Sequence, residues 1–133
     1  MRFLLVGAHA LAVWGPPRFT RDLDILVEPS VANARRLGAA LRAFGYAALA
    51  EEEAAFATPD RMATLGIEPL RIDVMTSISG VSFAAAWKGR MVARLGTLRV
   101  PVLGRTQFVR NKRASGRAKD LLDLQLIKDL DDA

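Results

Sequence analysis

Asp22 and Asp24 lie one residue apart in the run D-L-D-I-L-V, which alternates polar and apolar residues before turning wholly apolar, as a β-strand would. The strand period of two puts both carboxylates on one face, about 7 Å apart along it. Two acids aimed at one point suit a hard divalent cation such as Mg²⁺, which takes oxygen ligands and shares its shell with substrate phosphates. The bare pattern decides little. With nine Asp in 133 residues, about 0.6 D-x-D triplets arise by chance, and Asp129-x-Asp131 is a second one.

Context discriminates. Unpaired carboxylates in an apolar strand cost several kcal/mol unless something neutralises them. Asp73 recurs in a second apolar strand, L-R-I-D-V-M, with Ile72 and Val74 on one face and Arg71, Asp73 and Met75 on the other. If the two strands are neighbours in register, three carboxylates converge. Two-metal phosphoryl-transfer sites use that arrangement: two acids hold the nucleotide metal, and the third binds a second metal and helps deprotonate the attacking hydroxyl. Gly7-Ala8 stands at a strand-to-helix junction upstream of Asp22, where a glycine-opened helix presents free N–H groups to phosphate.

The elements that must position these groups follow from periodicity. Residues 2–6 read as a buried strand and 7–15 as a short helix stopped by Gly15-Pro16-Pro17. Ser30 caps a helix with Val31, Ala34, Leu37 and Leu41 at helical spacing, ended by Gly45. The Glu51-Glu52-Glu53 stretch reads as an exposed edge or loop, and 62–65 as a weak strand. Residues 81–87 look helical, and 90–102 carry one or two strands around Gly96. Two helices close the chain, over 104–113 and 117–130, hinged at Ser115-Gly116. The expected class is α/β (α+β), a small mixed β-sheet flanked by helices. Residues 1–133 form one domain in this reading, with a sheet core over 1–103 and C-terminal helices over 104–133.

Composition bounds the class. A chain of 133 residues suits one domain with a real core. The absence of cysteine excludes disulfides and thiolate metal sites. No apolar run reaches the 18 or so residues of a membrane span, and the N-terminus lacks the order of a signal peptide; cytoplasm is the default compartment. The balance of 19 Lys+Arg against 14 Asp+Glu, +5 net, favours anionic partners.

The run G-A-H-A-L-A-V-W-G-P-P-R-F-T-R-D-L-D-I-L-V resembles the opening of minimal members of the polymerase β-like nucleotidyltransferase superfamily. There a Gly-Ser or similar turn precedes D-x-D or D-x-E on a strand, and a third Asp lies on a later strand. Arg18-x-Thr20-x-Asp22-x-Asp24 resembles a form found in bacterial relatives of the nucleotidyltransferase-like toxins of toxin–antitoxin systems. The C-terminal N-K-R-A-S-G-R-A-K-D-L-L-D-L is similar to their closing helix pair.

The resemblance implies that Asp22, Asp24 and Asp73 ligate Mg²⁺ in a two-metal site, with Mn²⁺ as the alternative ion and Asp73 as base. It implies that Gly7 and Ala8 border the triphosphate, and that Lys112, Arg117 and Lys119 neutralise phosphate from the helical side. The implied activity moves a nucleoside monophosphate from an NTP to a hydroxyl acceptor: tRNA, protein or a small molecule. A cognate antitoxin or a second copy of the chain is the implied partner; a membrane is not. Two departures stand out. Ala8 replaces the usual serine, and the chain begins directly at the first strand, without the helix these domains commonly carry before it.

Plainer readings stand beside these. Asp22 and Asp24 also fit a strand-start turn or ion pairs with Arg18 and Arg21. The six bases within 105–119, uninterrupted by an acid, also fit a solvated helix face. Asp123 fits an acid complementing the last helix's dipole, and Asp120 either that or an ion pair with a neighbouring base. His9 suits a packed histidine, and Trp14, Phe19, Trp87 and Phe108 suit the core. Two rival functions remain open: a nucleotidyltransferase-like module that binds nucleotide, RNA or a partner chain with little chemistry, and a basic nucleic-acid-binding protein without an active site.

Overall fold

Phe3–Val6 forms strand β1, and Leu4, Leu5 and Val6 are all buried. Burial on both faces, rather than alternation, is what a central strand requires. In the computed structural model, which describes residues 1–7, 10, 22–67 and 70–131, β1 lies near the middle of a six-stranded mixed sheet. The strands are β1, β2 (Asp22–Val27), β3 (Met62–Ile67), β4 (Leu70–Met75), β5 (Met91–Leu95) and β6 (Leu98–Val102). Their order is β3-β4-β2-β1-β6-β5. Strand β2 runs antiparallel to β1 and parallel to β4; β1 and β6 are parallel; β3–β4 and β5–β6 are antiparallel.

The helices are α1 (Val31–Ala43), α2 (Ala47–Ala50), α3 (Phe83–Lys88), α4 (Arg105–Ser115) and α5 (Ala118–Asp131), with a 3₁₀ turn at Glu53–Ala57. Ser30 caps α1 as its residue type predicts, accepting from the Asn33 N–H at 3.2 Å. The alternation within β2 and β4 divides the apolar residues between two cores. Val27 and Val74 pack with Ala34, Leu37 and Leu41 of α1, and Ile72 packs against the same cluster. Leu26 packs with Phe108 of α4 and Ile127 of α5, and Met75 packs against that cluster. Asp22 and Asp24 share parity with Leu26, and Asp73 shares parity with Met75. All three acids therefore belong to the sheet face under α4 and α5.

The acidic run 51–53 is the exposed loop expected of it at Glu51 and Glu52, while Glu53 opens a 3₁₀ turn instead. The run joins α2 to that turn, where Phe56 is buried in the α1 core. Glu53 lies against Gly38 of α1 with its carboxylate 3.8 Å from Arg42; Glu51 and Glu52 are exposed. The alanines flanking the acids hid a short apolar stripe too brief to register as a helical period. The proposed helix over 7–15, with His9 and Trp14, falls almost wholly outside the described residues, and Phe19 lies outside them too. Among the described residues, no helix is long and apolar enough to cross a membrane.

Candidate functional site

The parallel pairing of β2 with β4 places Asp24 directly opposite Asp73, and Asp22 opposite Arg71. Neighbouring strands lie about 4.8 Å apart, so two carboxylates meet side by side on one face. Burial, then the neighbouring Asp73 charge, pushes the Asp24 carboxyl above its ordinary range, with Lys119 opposing the rise. Asp73 goes the other way. Its burial would raise it, but a hydrogen bond from the Thr64 hydroxyl and the Arg71 guanidinium outweigh that and hold it below the usual carboxylate range. Thr64 donates to Oδ1 at 2.7 Å and Arg71 Nη2 to Oδ2 at 3.1 Å. A proton held by this pair therefore belongs on Asp24.

Gly7 follows β1 with φ 69°, the left-handed region that costs other residues about 1–2 kcal/mol. A Cβ at this position would run into the Asp24 carboxylate. Gly7 is thus the residue that lets Asp24 lie against the backbone at the end of β1. Gly7→Ala is expected to lose about 1–2 kcal/mol in urea unfolding and to displace Asp24. An unchanged unfolding midpoint would contradict that placement.

The helical side of the site is built by a turn. Gly116, φ 65°, ends α4 in the left-handed conformation, its N–H donating to the Lys112 carbonyl at 2.9 Å. The chain then reverses into α5, and residues at helical spacing on α4 and α5 face one another. Phe108 and Lys112, four apart on α4, are both buried, with the ammonium 5.2 Å from the ring centroid. Lys112 Nζ donates to Asp120 Oδ1 at 2.9 Å and lies 3.4 Å from Asp123 Oδ2. Asp120 also accepts from Ser115 Oγ at 2.7 Å and Arg117 Nε at 2.8 Å. Burial opposes ionisation of Asp120, yet Arg117, Ser115 and Lys112 together hold its carboxyl far below the usual range.

Asp22, Asp24, Asp73, Gly7, Lys112, Arg117 and Lys119 all line one cleft of about 810 Å³. Ala8 lies outside the described residues. Lys112 and Arg117 line the cleft and are also ion-paired within the helical pair, Lys112 with Asp120 and Asp123 and Arg117 with Asp120. Asp123, read as a dipole-complementing acid, is instead a partner of Lys112, and Asp120 combines the first turn of α5 with ion pairing. The basic run does not form one wall. Arg105, Arg110 and Arg113 line a separate groove of about 830 Å³ between α4 and α5, with Leu121, Leu124 and Lys128.

Arg71 and Thr64 carry no assigned role in the sequence reading. Arg71 was detectable, two residues from Asp73 and so on its face; Thr64 needed the β3–β4 register. Asp60 and Ser77 also line the cleft and bond each other, Ser77 Oγ donating to Asp60 Oδ1 at 2.9 Å.

Clustered carboxylates are the donor type a hard cation such as Mg²⁺ takes. Among the described residues, no group of three carboxylate or imidazole side chains is placed to hold a metal ion as it stands. The fit is thus one of donor chemistry, strongest for Asp22 and Asp24, because both Asp73 oxygens already accept hydrogen bonds. Comparison with protein-family models and with curated proteins finds no match for this chain.

Proposed function

We propose that the chain is a Mg²⁺-dependent nucleotidyltransferase that moves a nucleoside monophosphate from an NTP to a hydroxyl acceptor. The observation that carries this reading is the register of two parallel strands, which sets Asp24 against Asp73 at a cleft whose helical wall carries Lys112, Arg117 and Lys119. The acceptor oxygen bonds to the α-phosphorus, the bond to the bridging oxygen breaks, and pyrophosphate leaves. The resemblance makes Asp73 the base for the hydroxyl proton, a carboxylate oxygen with one donor retaining a second lone pair, and the proton then rests on Asp24, whose carboxyl is the one held above its ordinary range. Asp22 and Asp24 would hold Mg²⁺, which when bound offsets charge on the phosphates. Lys119, exposed at the cleft rim, supplies positive charge that is not committed to the Asp120 network. Such chemistry is mostly positioning and charge neutralisation. The acceptor is an RNA end, a protein or a small molecule, in the cytoplasm, and a toxin–antitoxin setting fits the resemblance.

One observation favours a second reading, nucleotide binding with little turnover. Two of the three bases facing the acids, Lys112 and Arg117, are already ion-paired with Asp120 and Asp123. Incubation with each radiolabelled NTP, Mg²⁺ and total RNA or protein separates the two. Transfer of label, lost in Asp22→Asn, is the expected result. A nucleotide-dependent thermal shift without transfer would leave only the second reading, and neither signal would remove both.

A further inference from the structure

The register that sets Asp24 beside Asp73 also sets Arg71 beside Asp22. Arg71 is two residues from Asp73, and its Nη2 reaches Asp73 Oδ2 at 3.1 Å. The other oxygen of Asp73 takes the Thr64 hydroxyl at 2.7 Å. Each oxygen of Asp73 therefore meets a protein donor from the strands themselves. A guanidinium does not deprotonate in proteins, so Arg71 is a permanent positive charge among three carboxylates. On the strands, three carboxylates and one guanidinium leave two negative charges, and Lys119 acts on Asp24 from the helical side, so the site holds too little negative charge to call for two divalent ions. A second ion on Asp73 would have to displace Arg71 or lie against it, and Mg²⁺ tolerates little departure from octahedral oxygen coordination.

We infer that Arg71 stands in the place of a second cation, so that the site takes a single divalent metal ion on its Asp22–Asp24 side. This rests on the metal-dependent reading above and states how that site is loaded, with one ion fewer than the resemblance implies. Arg71 is a positioning residue: it acts on the metal site through Asp73.

Titration of the full chain with Mn²⁺ up to millimolar concentration, reading free Mn²⁺ by electron paramagnetic resonance, tests it without any turnover. Wild type is expected to bind one ion per chain. Arg71→Gln is expected to bind two, the second at least ~10-fold more tightly than any second ion on wild type, the change that ~1.4 kcal/mol produces. Arg71→Lys, which keeps the charge, is expected to stay at one. Two ions on wild type, or one on Arg71→Gln with a native circular dichroism spectrum, would overturn the inference and leave the metal-dependent function standing. No Mn²⁺ on wild type would overturn both. Should Arg71→Gln fail to fold, the wild-type stoichiometry decides alone.

Discussion

On the proposed function, Asp24→Asn is expected to lower nucleotidyl transfer by ~10²–10³-fold, the scale set by removing a charge-stabilising group from an active site, and at the same time to raise Tm. The two effects share one cause. Burial first, and the Asp73 charge second, push the Asp24 carboxyl above its ordinary range. The folded chain therefore holds that proton more tightly than the unfolded chain does. The resulting stability is fully present below the ordinary carboxyl pKa, about 3.9, and is lost as pH rises through the raised folded value. At neutral pH the ionised group opposes folding, and the amide removes that opposition.

Calorimetry in EDTA across pH 3–8 should show the variant above wild type near neutrality, the two converging in acid. Added Mg²⁺ should then stabilise wild type and leave the variant unchanged, since a ligand stabilises only the state that binds it. A lower Tm for Asp24→Asn at pH 7 would instead make Asp24 a structural carboxylate. Function placed on strained or repelling groups commonly trades against stability in this way.

Lys112→Met is expected to cost about 3–5 kcal/mol, because it leaves Asp120 and Asp123 buried without their shared cation. Urea unfolding measures it directly. Replacing Lys112, Asp120 and Asp123 together with Met, Leu and Leu should recover most of the loss, since apolar residues of similar volume often match a buried ion network. A single variant within ~1 kcal/mol of wild type would show that Arg117 and Ser115 suffice for Asp120.

The same network makes an acid limb. The Asp120 carboxyl is depressed in the fold by Arg117, Ser115 and Lys112 against the opposing effect of burial. Its contribution is present above the unfolded value and fades as pH falls below about 4 toward the depressed one. Wild type should lose stability there more steeply than the triple variant.

Much of the site was legible because strand parity is local. D-L-D-I-L-V and L-R-I-D-V-M each state which residues share a face, and the faces observed agree with that period of two. The hinge at Ser115-Gly116 was legible for a similar reason: a glycine between two helical periods marks a left-handed residue, and φ at Gly116 is 65°. The fate of 51–57 was not, because Phe56 is buried by contact with α1 and by nothing in its own neighbourhood.

The role of Lys112 was illegible for a stronger reason. A lysine in a run of six bases reads as exposed positive charge, and only the reversal at Gly116 carries Asp120 and Asp123 back onto it. Arg71 sits between the two cases. Its place beside Asp73 followed from parity, but its place opposite Asp22 depended on which strands lie beside β4.

By itself the sequence determined one cysteine-free mixed sheet with helices, the faces on which Asp22, Asp24 and Asp73 lie, and the two helices that close the chain. Those are consequences of periods two and 3.6, which any short stretch carries within itself. The tertiary structure decided that Asp24 meets Asp73, that Arg71 stands opposite Asp22, and that Lys112 pairs with Asp120 and Asp123. Each of these is a contact between residues on different elements, set by strand order and by one left-handed turn. The opposition of charges across the cleft belongs to the packing, and it is the packing that divides the basic run into a wall of the cleft and a groove behind it.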